Sequence, residues 1–262
     1  MTKVSIDQLS PPPPQAVLYV FAHQDDEMFV LPKMILEVKR GNPVHAVWIT
    51  DGGKSADPKQ RQEESIAAME LIGVPRENLH FLGYRDSHSF ETLRPAYDQA
   101  IAVAEQIKPA QVMSPAYEGG NIDHDVANLI AATVASHTAP HPTHLEYPLY
   151  NRSAGKRRVG VFLPRGDPGQ HLDFDAATRD LTEKASKVYR SQRLALWIMG
   201  FVADKNSLAE NGPPYRVAPA HDFMQRPTNE PTDYERSWFH PANFSDWQKY
   251  TSEFLNSVSG EK

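Results

Sequence analysis

The chain of 262 residues contains no cysteine. Disulfides and thiolate metal sites are therefore excluded, and the composition says nothing about redox compartment. Long apolar runs are missing too: no stretch approaches the ~20 residues that a bilayer-spanning helix needs. The first residues carry Lys3, Asp7 and four successive prolines at 11–14, and lack the apolar core expected of a secretory signal. Positive charge is not in excess. A net charge of −6 argues against non-specific nucleic-acid binding, which requires a basic face. There is no internal repeat. No glycine-rich fingerprint follows the first apolar run, and Gly52-Gly53 is too slight to be a phosphate loop. These absences lead us to expect a cytoplasmic globular protein with no nucleic-acid partner and no membrane span. They leave a homo-oligomer open.

What is present alternates. Short apolar runs at 17–21, 44–50, 79–82, 112–114 and 144–147 read as strands, with a further one at 159–163. Helical patterns fill 28–40, 60–72, 93–107 and 123–136, and 175–199 reads as one long helix or two. A last helix is expected at 244–258. Strands separated by amphipathic helices make βαβ units. The expected fold is thus α/β: a single Rossmann-like domain over 15–262, mostly parallel, with helices on both faces and an irregular C-terminal cover. Residues 1–14 form an extended proline-rich arm in this reading. Ligand sites of such sheets lie beyond the carboxyl ends of the strands.

Chemistry concentrates at those ends. The run Val17-Leu18-Tyr19-Val20-Phe21 is followed at once by Ala22-His23-Gln24-Asp25-Asp26-Glu27. One imidazole and three carboxylates so close together repel and lose hydration unless a cation or water satisfies them. His23 and Asp26 are three apart, so one turn can aim both at one ion, with Asp25 beside it as a general base. Tyr117-Glu118-Gly119-Gly120-Asn121-Ile122-Asp123-His124 follows a second apolar run and offers His124 as third ligand. Two His and one carboxylate with open positions suit a catalytic Zn2+. The same set also suits Fe2+ or another divalent metal. Glu27 reads as a structural carboxylate near the next helix N-terminus. His137, His141 and His144 form a loose cluster that reads as a solvated loop, and His88 is near enough to Asp86 to reach the cleft. Trp197, Ile198 and Met199 are expected in the core.

These motifs resemble the PIG-L / LmbE-like metal-dependent N-acetylglucosaminyl deacetylases, whose signatures read Ala-His-Pro-Asp-Asp-Glu and His-Pro-Asp-His. Thr50-Asp51-Gly52, Arg61-Gln62-Glu63-Glu64, Phe81-Leu82-Gly83-Tyr84-Arg85-Asp86 and Lys187-Val188-Tyr189-Arg190-Ser191-Gln192 are similar to further family elements. The resemblance spans about 15–195. It implies a hydrolase that removes acetyl from an N-acetylated sugar or glycoconjugate, with metal-bound water activated by Asp25. It also implies Arg61 and Asp86 as groups that grip substrate; the alternatives are an ion pair of Arg61 with Glu63 or Glu64, and a turn aspartate. Asn121 stands where the family has a His credited with stabilising the oxyanion or protonating the leaving amine. An Asn amide can donate a hydrogen bond but supplies no proton. Asp123 would orient that His; here it is expected to bond the Asn121 amide or its own helix backbone. Gln24 and Ile122 replace family prolines, and Gly53 stands where many relatives have Glu. The rival reading is a catalytically weak or inactive metal protein that binds glycans on the same scaffold. A nucleotide-binding α/β protein fits less well.

Overall fold

The computed structural model describes residues 13–164, 166–192, 212–236 and 242–260. Most of the proline-rich arm and Trp197, Ile198 and Met199 lie outside them. The central sheet has six strands: β1 (Val17–Phe21), β2 (Val44–Thr50), β3 (Leu79–Tyr84), β4 (Gln111–Pro115), β5 (Thr143–Tyr147) and the short β8 (Arg216–Val217). Their order is β3-β2-β1-β4-β5-β8. All neighbours pair in parallel except β5 and β8, which are antiparallel. The expected α/β class is borne out.

Alternate residues of the inner strands feed two cores. Leu18, Val20, Val47, Ile49 and Val112 face α3 (Leu93–Ile107), α4 (Ile122–His137) and the C-terminal α6 (Phe244–Val258). Val17, Tyr19, Phe21, Ala46, Trp48 and Met113 face α1 (Leu31–Lys39), α2 (Pro58–Leu71) and α5 (Ala176–Ser186). All five residues of β1 are buried, which explains why its sequence is a continuous apolar run and does not alternate. Burial of a large apolar side chain such as Phe21 contributes roughly 1.5–3 kcal/mol.

Local chemistry sets the helix ends. Asp57 caps α2 by accepting from the Lys59 N–H at 3.3 Å, and Pro58 occupies the first turn, so the helix starts two residues before the apolar stripe suggests. The helix expected over 28–40 is divided: a 3-10 turn, Asp26–Phe29, precedes α1. Asp26 and Glu27 are drawn towards buried partners, and Val30 (φ −114) breaks the helical path. The helix begun at 176 ends at Ser186.

One expectation fails. Only Val159 of the run 159–163 lies in a strand. The strands there are β6 (Tyr150–Ser153) and β7 (Lys156–Val159), a separate antiparallel hairpin. Ala154 and Gly155 both take positive φ, 52° and 73°, which is the two-residue turn that matches strand twist. Gly160 at φ 71° ends the pairing. No helix among the described residues is long and apolar enough to cross a membrane.

Candidate active site

Strand order reverses between β1 and β4, and the two sequence motifs leave the sheet at that switch point. His23 and Asp26 follow β1; His124 stands in the first turn of α4 after β4. Their ligand-type atoms all lie within 4.8 Å of one another. His124 Nε2 is 3.2 Å from Asp26 Oδ1, and His23 Nδ1 is 3.7 Å from the same oxygen. Asp26 Oδ2 accepts the backbone N–H groups of Ala22 and His23, both at 2.9 Å. That anchors the carboxylate and leaves Oδ1 turned to the two imidazoles. This donor set fits a divalent cation: two ring nitrogens and one fixed carboxylate oxygen around one point. The cleft beside it has a volume of about 340 Å³.

A second group, His23, Asp86 and Asp123, shares His23. Asp123 Oδ1 accepts from the Ser89 hydroxyl (2.6 Å) and N–H (3.2 Å); Oδ2 accepts from the Ser87 N–H (2.6 Å) and faces His23 Nε2 (3.1 Å). With its lone pairs so occupied, Asp123 serves as acceptor for a His23 Nε2–H. With a cation at Nδ1, this would be the arrangement of a carboxylate supporting a ligating histidine. The expected bond of the Asp123 carboxylate to Asn121 or to its own helix is absent. Ser87, held at φ 68°, brings its N–H round to that carboxylate and takes it away from α4. Burial lowers the His23 pKa, but Asp123, Asp26 and Asp86 more than offset this and hold it well above the usual imidazole range. Burial raises the Asp26 carboxyl; His124 and His23 overcome that and keep it far below the usual range.

Asp25 lines the cleft next to this cluster. Burial pushes its carboxyl up to about 7, against the pull of Arg61 and with the help of Asp26. Arg61 is 3 % exposed and does not pair with Glu63 or Glu64. Nη2 donates to Asp25 Oδ1 at 2.6 Å and to the Gln24 carbonyl at 2.7 Å. Nη1 donates to the Gly52 carbonyl and Ser55 Oγ, and Nε to the Gln24 carbonyl. All five guanidinium N–H groups are thereby committed to holding Asp25 and the loop after β2. Asp86 lines the cleft, 3.6 Å from His23 Nε2. Burial raises its carboxyl, but His23, the Lys54 N–H and the Ser87 hydroxyl together more than offset this and hold it below the usual carboxylate range. Glu27 is wholly buried and accepts from Trp48 Nε1, the Tyr189 and Ser65 hydroxyls and the Asp25 N–H.

Asn121 is the N-cap of α4. Its Oδ1 accepts the Asp123 N–H at 2.8 Å, so only its NH2 remains for the cleft. His88 is held by Glu91 outside the cleft lining. His144 bonds Ser114, and His137 bonds the Thr133 carbonyl of its own helix. Neither belongs to the metal-type groups found among the described residues.

The sequence motifs did not indicate Lys54, Ser87, Tyr150 or Arg157, yet all line the cleft, as does Gln192 from the last family-like element. Tyr150 and Arg157 arrive on the β6–β7 hairpin. Gly120 makes room for it: a Cβ there would lie 2.0 Å from the Tyr150 carbonyl oxygen. Gly120→Ala is expected to displace the hairpin and to lower stability by about 1–3 kcal/mol, the usual scale of forced overpacking. Chemical denaturation would check it; an unchanged midpoint would refute the close approach.

Residues 18–135 match the PIG-L family, described as GlcNAc-PI de-N-acetylase. Among solved structures, the chain is similar to the zinc-inhibited form of teicoplanin deacetylase Orf2. That match has 14 % identity and a TM-score of 0.58, covering 76 % of this chain and 96 % of that one. It is also similar to N,N'-diacetylchitobiose deacetylase from Pyrococcus horikoshii, with 17 % identity, a TM-score of 0.55 and coverage of 78 % and 84 %. The conserved protein TT1542 from Thermus thermophilus matches at 18 % identity and a TM-score of 0.56, covering 78 % and 94 %. No curated protein sequence matches the chain. At these identities the structural likeness establishes the fold. Motifs, strand order and family match agree: residues 18–135 are similar to the PIG-L family over the segment that carries both motifs.

Proposed function

We propose that the chain is a metal-dependent hydrolase that removes an acetyl group from the amide nitrogen of an N-acetylated sugar or sugar conjugate. The observation that carries this reading is the pairing of two things in one cleft: the His23, Asp26 and His124 donor set, and a carboxylate, Asp25, fixed beside it by a fully engaged arginine. The family match and the names of the similar structures support acetamide as the bond cleaved.

His23, Asp26 and His124 would hold a divalent cation, and their two imidazoles and one carboxylate suit zinc as well as iron(II). Bound there, the cation would supply a Lewis acid that polarises a carbonyl and makes water easier to deprotonate. Asp123 fixes the His23 ring through Nε2. Asp25 takes the proton of the attacking water, and Arg61 keeps its carboxylate aimed as it does so. Protonated Asp25 then returns that proton to the leaving amine, a step Asn121 cannot perform. Asp86, on the wall of the cleft, is placed to accept from a sugar hydroxyl. The Asn121 NH2 remains a hydrogen-bond donor to the reacting centre.

Two substitutions separate the two jobs of Asn121. Asn121→Ala loses both the helix cap and the donor, so stability should fall by about 1 kcal/mol and the rate by roughly 100- to 1000-fold. Asn121→Asp keeps the capping oxygen and should lose rate with little loss of stability. Equal rates for wild type and Asn121→Asp would remove the amide from the reaction. The function itself is tested by incubating metal-loaded protein with a panel of N-acetylated sugars and measuring free amine. Release from at least one is expected; binding without release across the panel would leave a glycan-binding protein.

A further inference from the structure

No motif contains Tyr150, yet several buried interactions are spent on placing it. Glu118, 5 % exposed, accepts the Leu149 N–H at 3.1 Å and Asn151 Nδ2 at 3.0 Å. One carboxylate thus grips the residues on either side of Tyr150. Asp125 in turn accepts the Glu118 and Gly119 N–H groups, each at 3.1 Å, which fixes the loop that carries Glu118. Gly120 lets the Tyr150 backbone come closer than any side chain would permit. The hairpin is therefore locked to the segment that delivers Asn121 and His124.

The ring itself is fixed on two counts. It meets the His124 imidazole edge to face, with centroids 5.2 Å apart, and the Arg157 guanidinium carbon lies 4.3 Å from its centroid. It lines the same cleft as His23, Asp25 and Asp26. Asn121 lines the same cleft. A tyrosine needed only for packing would not require the clamp on both neighbours.

We propose that the Tyr150 hydroxyl donates a hydrogen bond to the oxyanion that forms at the acetamide carbonyl. The inference rests on the deacetylase reading above. In this chain the hairpin brings a second donor to the oxyanion beside the Asn121 NH2, and a neutral phenol provides it without giving up its proton. Replacement of Tyr150 by Phe keeps the contacts with His124 and Arg157 and removes only the donor.

The test compares wild type and Tyr150→Phe, both metal-loaded, in steady-state hydrolysis of an N-acetylglucosamine conjugate. It also measures metal content and the affinity of a tetrahedral methylphosphonyl analogue of the acetamide. The expected result is a kcat lower by roughly 100- to 1000-fold with KM little changed. Phosphonyl affinity should fall with kcat, while metal content and affinity for the free amino sugar stay the same. Wild-type kcat and phosphonyl affinity in the variant, with deacetylation intact, would overturn the role of Tyr150 alone. A raised KM at unchanged kcat would do the same, since it would make Tyr150 a ground-state contact. Wild-type protein inert towards every acetamide would overturn the deacetylase reading and this inference together.

Discussion

Metal-loaded Asp25→Asn protein is expected to keep its cation and lose turnover by roughly 100- to 10,000-fold, the range ascribed to a positioned general base. The substitution is nearly isosteric. Its amide oxygen can still accept from Arg61 Nη2, and its backbone N–H still reaches Glu27, so the local frame should survive. What disappears is the ability to take a proton from the attacking water and hand it to the leaving amine. Because the proposed mechanism puts both transfers on one group, it offers no partner to rescue half of the reaction. Metal content by elemental analysis, alongside initial rates, checks the prediction. A fully loaded variant working at the wild-type rate would take Asp25 out of the mechanism.

His124→Ala should have the largest effect on metal content. His124 contributes Nε2 opposite Asp26 Oδ1, and the metal-type groups among the described residues offer no replacement imidazole. Loss of a supporting group costs a metal site roughly 10- to 100-fold in affinity, and loss of a ligand should exceed that. His137→Ala is the control: on the same helix, at its far end, it bonds the Thr133 carbonyl and should leave occupancy untouched. Equal, full loading of both variants would show that the ligand set is wrong.

The parts of this protein that its sequence made legible are the parts whose physics is local. A buried strand followed at once by His23, Asp25, Asp26 and Glu27 is a statement about one turn of chain, and the resemblance to the PIG-L family rests on such turns. The parallel sheet followed from alternation of apolar runs and helical stripes. Asp123 was misjudged because its partners, Ser87 and Ser89, come from a loop 36 and 34 residues away, and no spacing rule reaches that far. Arg61 was legible as a site residue, but only the fold shows that its five donors are already engaged. The β6–β7 hairpin escaped for a different reason. Lys156-Arg157-Arg158 are exposed and charged, with none of the alternation that marks a half-buried strand, while Val159–Leu163 looks apolar and is broken by Gly160. Tyr150 and Arg157 therefore reached the cleft unannounced. So did the buried clamp of Glu118 and Asp125, although both lie within the segment that carries the second motif.

Metal titration tests the central claim most directly. Protein stripped with a chelator is given zinc in sub-stoichiometric steps, and acetate release from an N-acetylglucosamine conjugate is read at each step. The account predicts background release before the first addition, a rise in proportion to added metal, and a plateau at one equivalent per chain. Undiminished acetate release from the stripped protein, or background release at every step with zinc and with iron(II) alike, would contradict it.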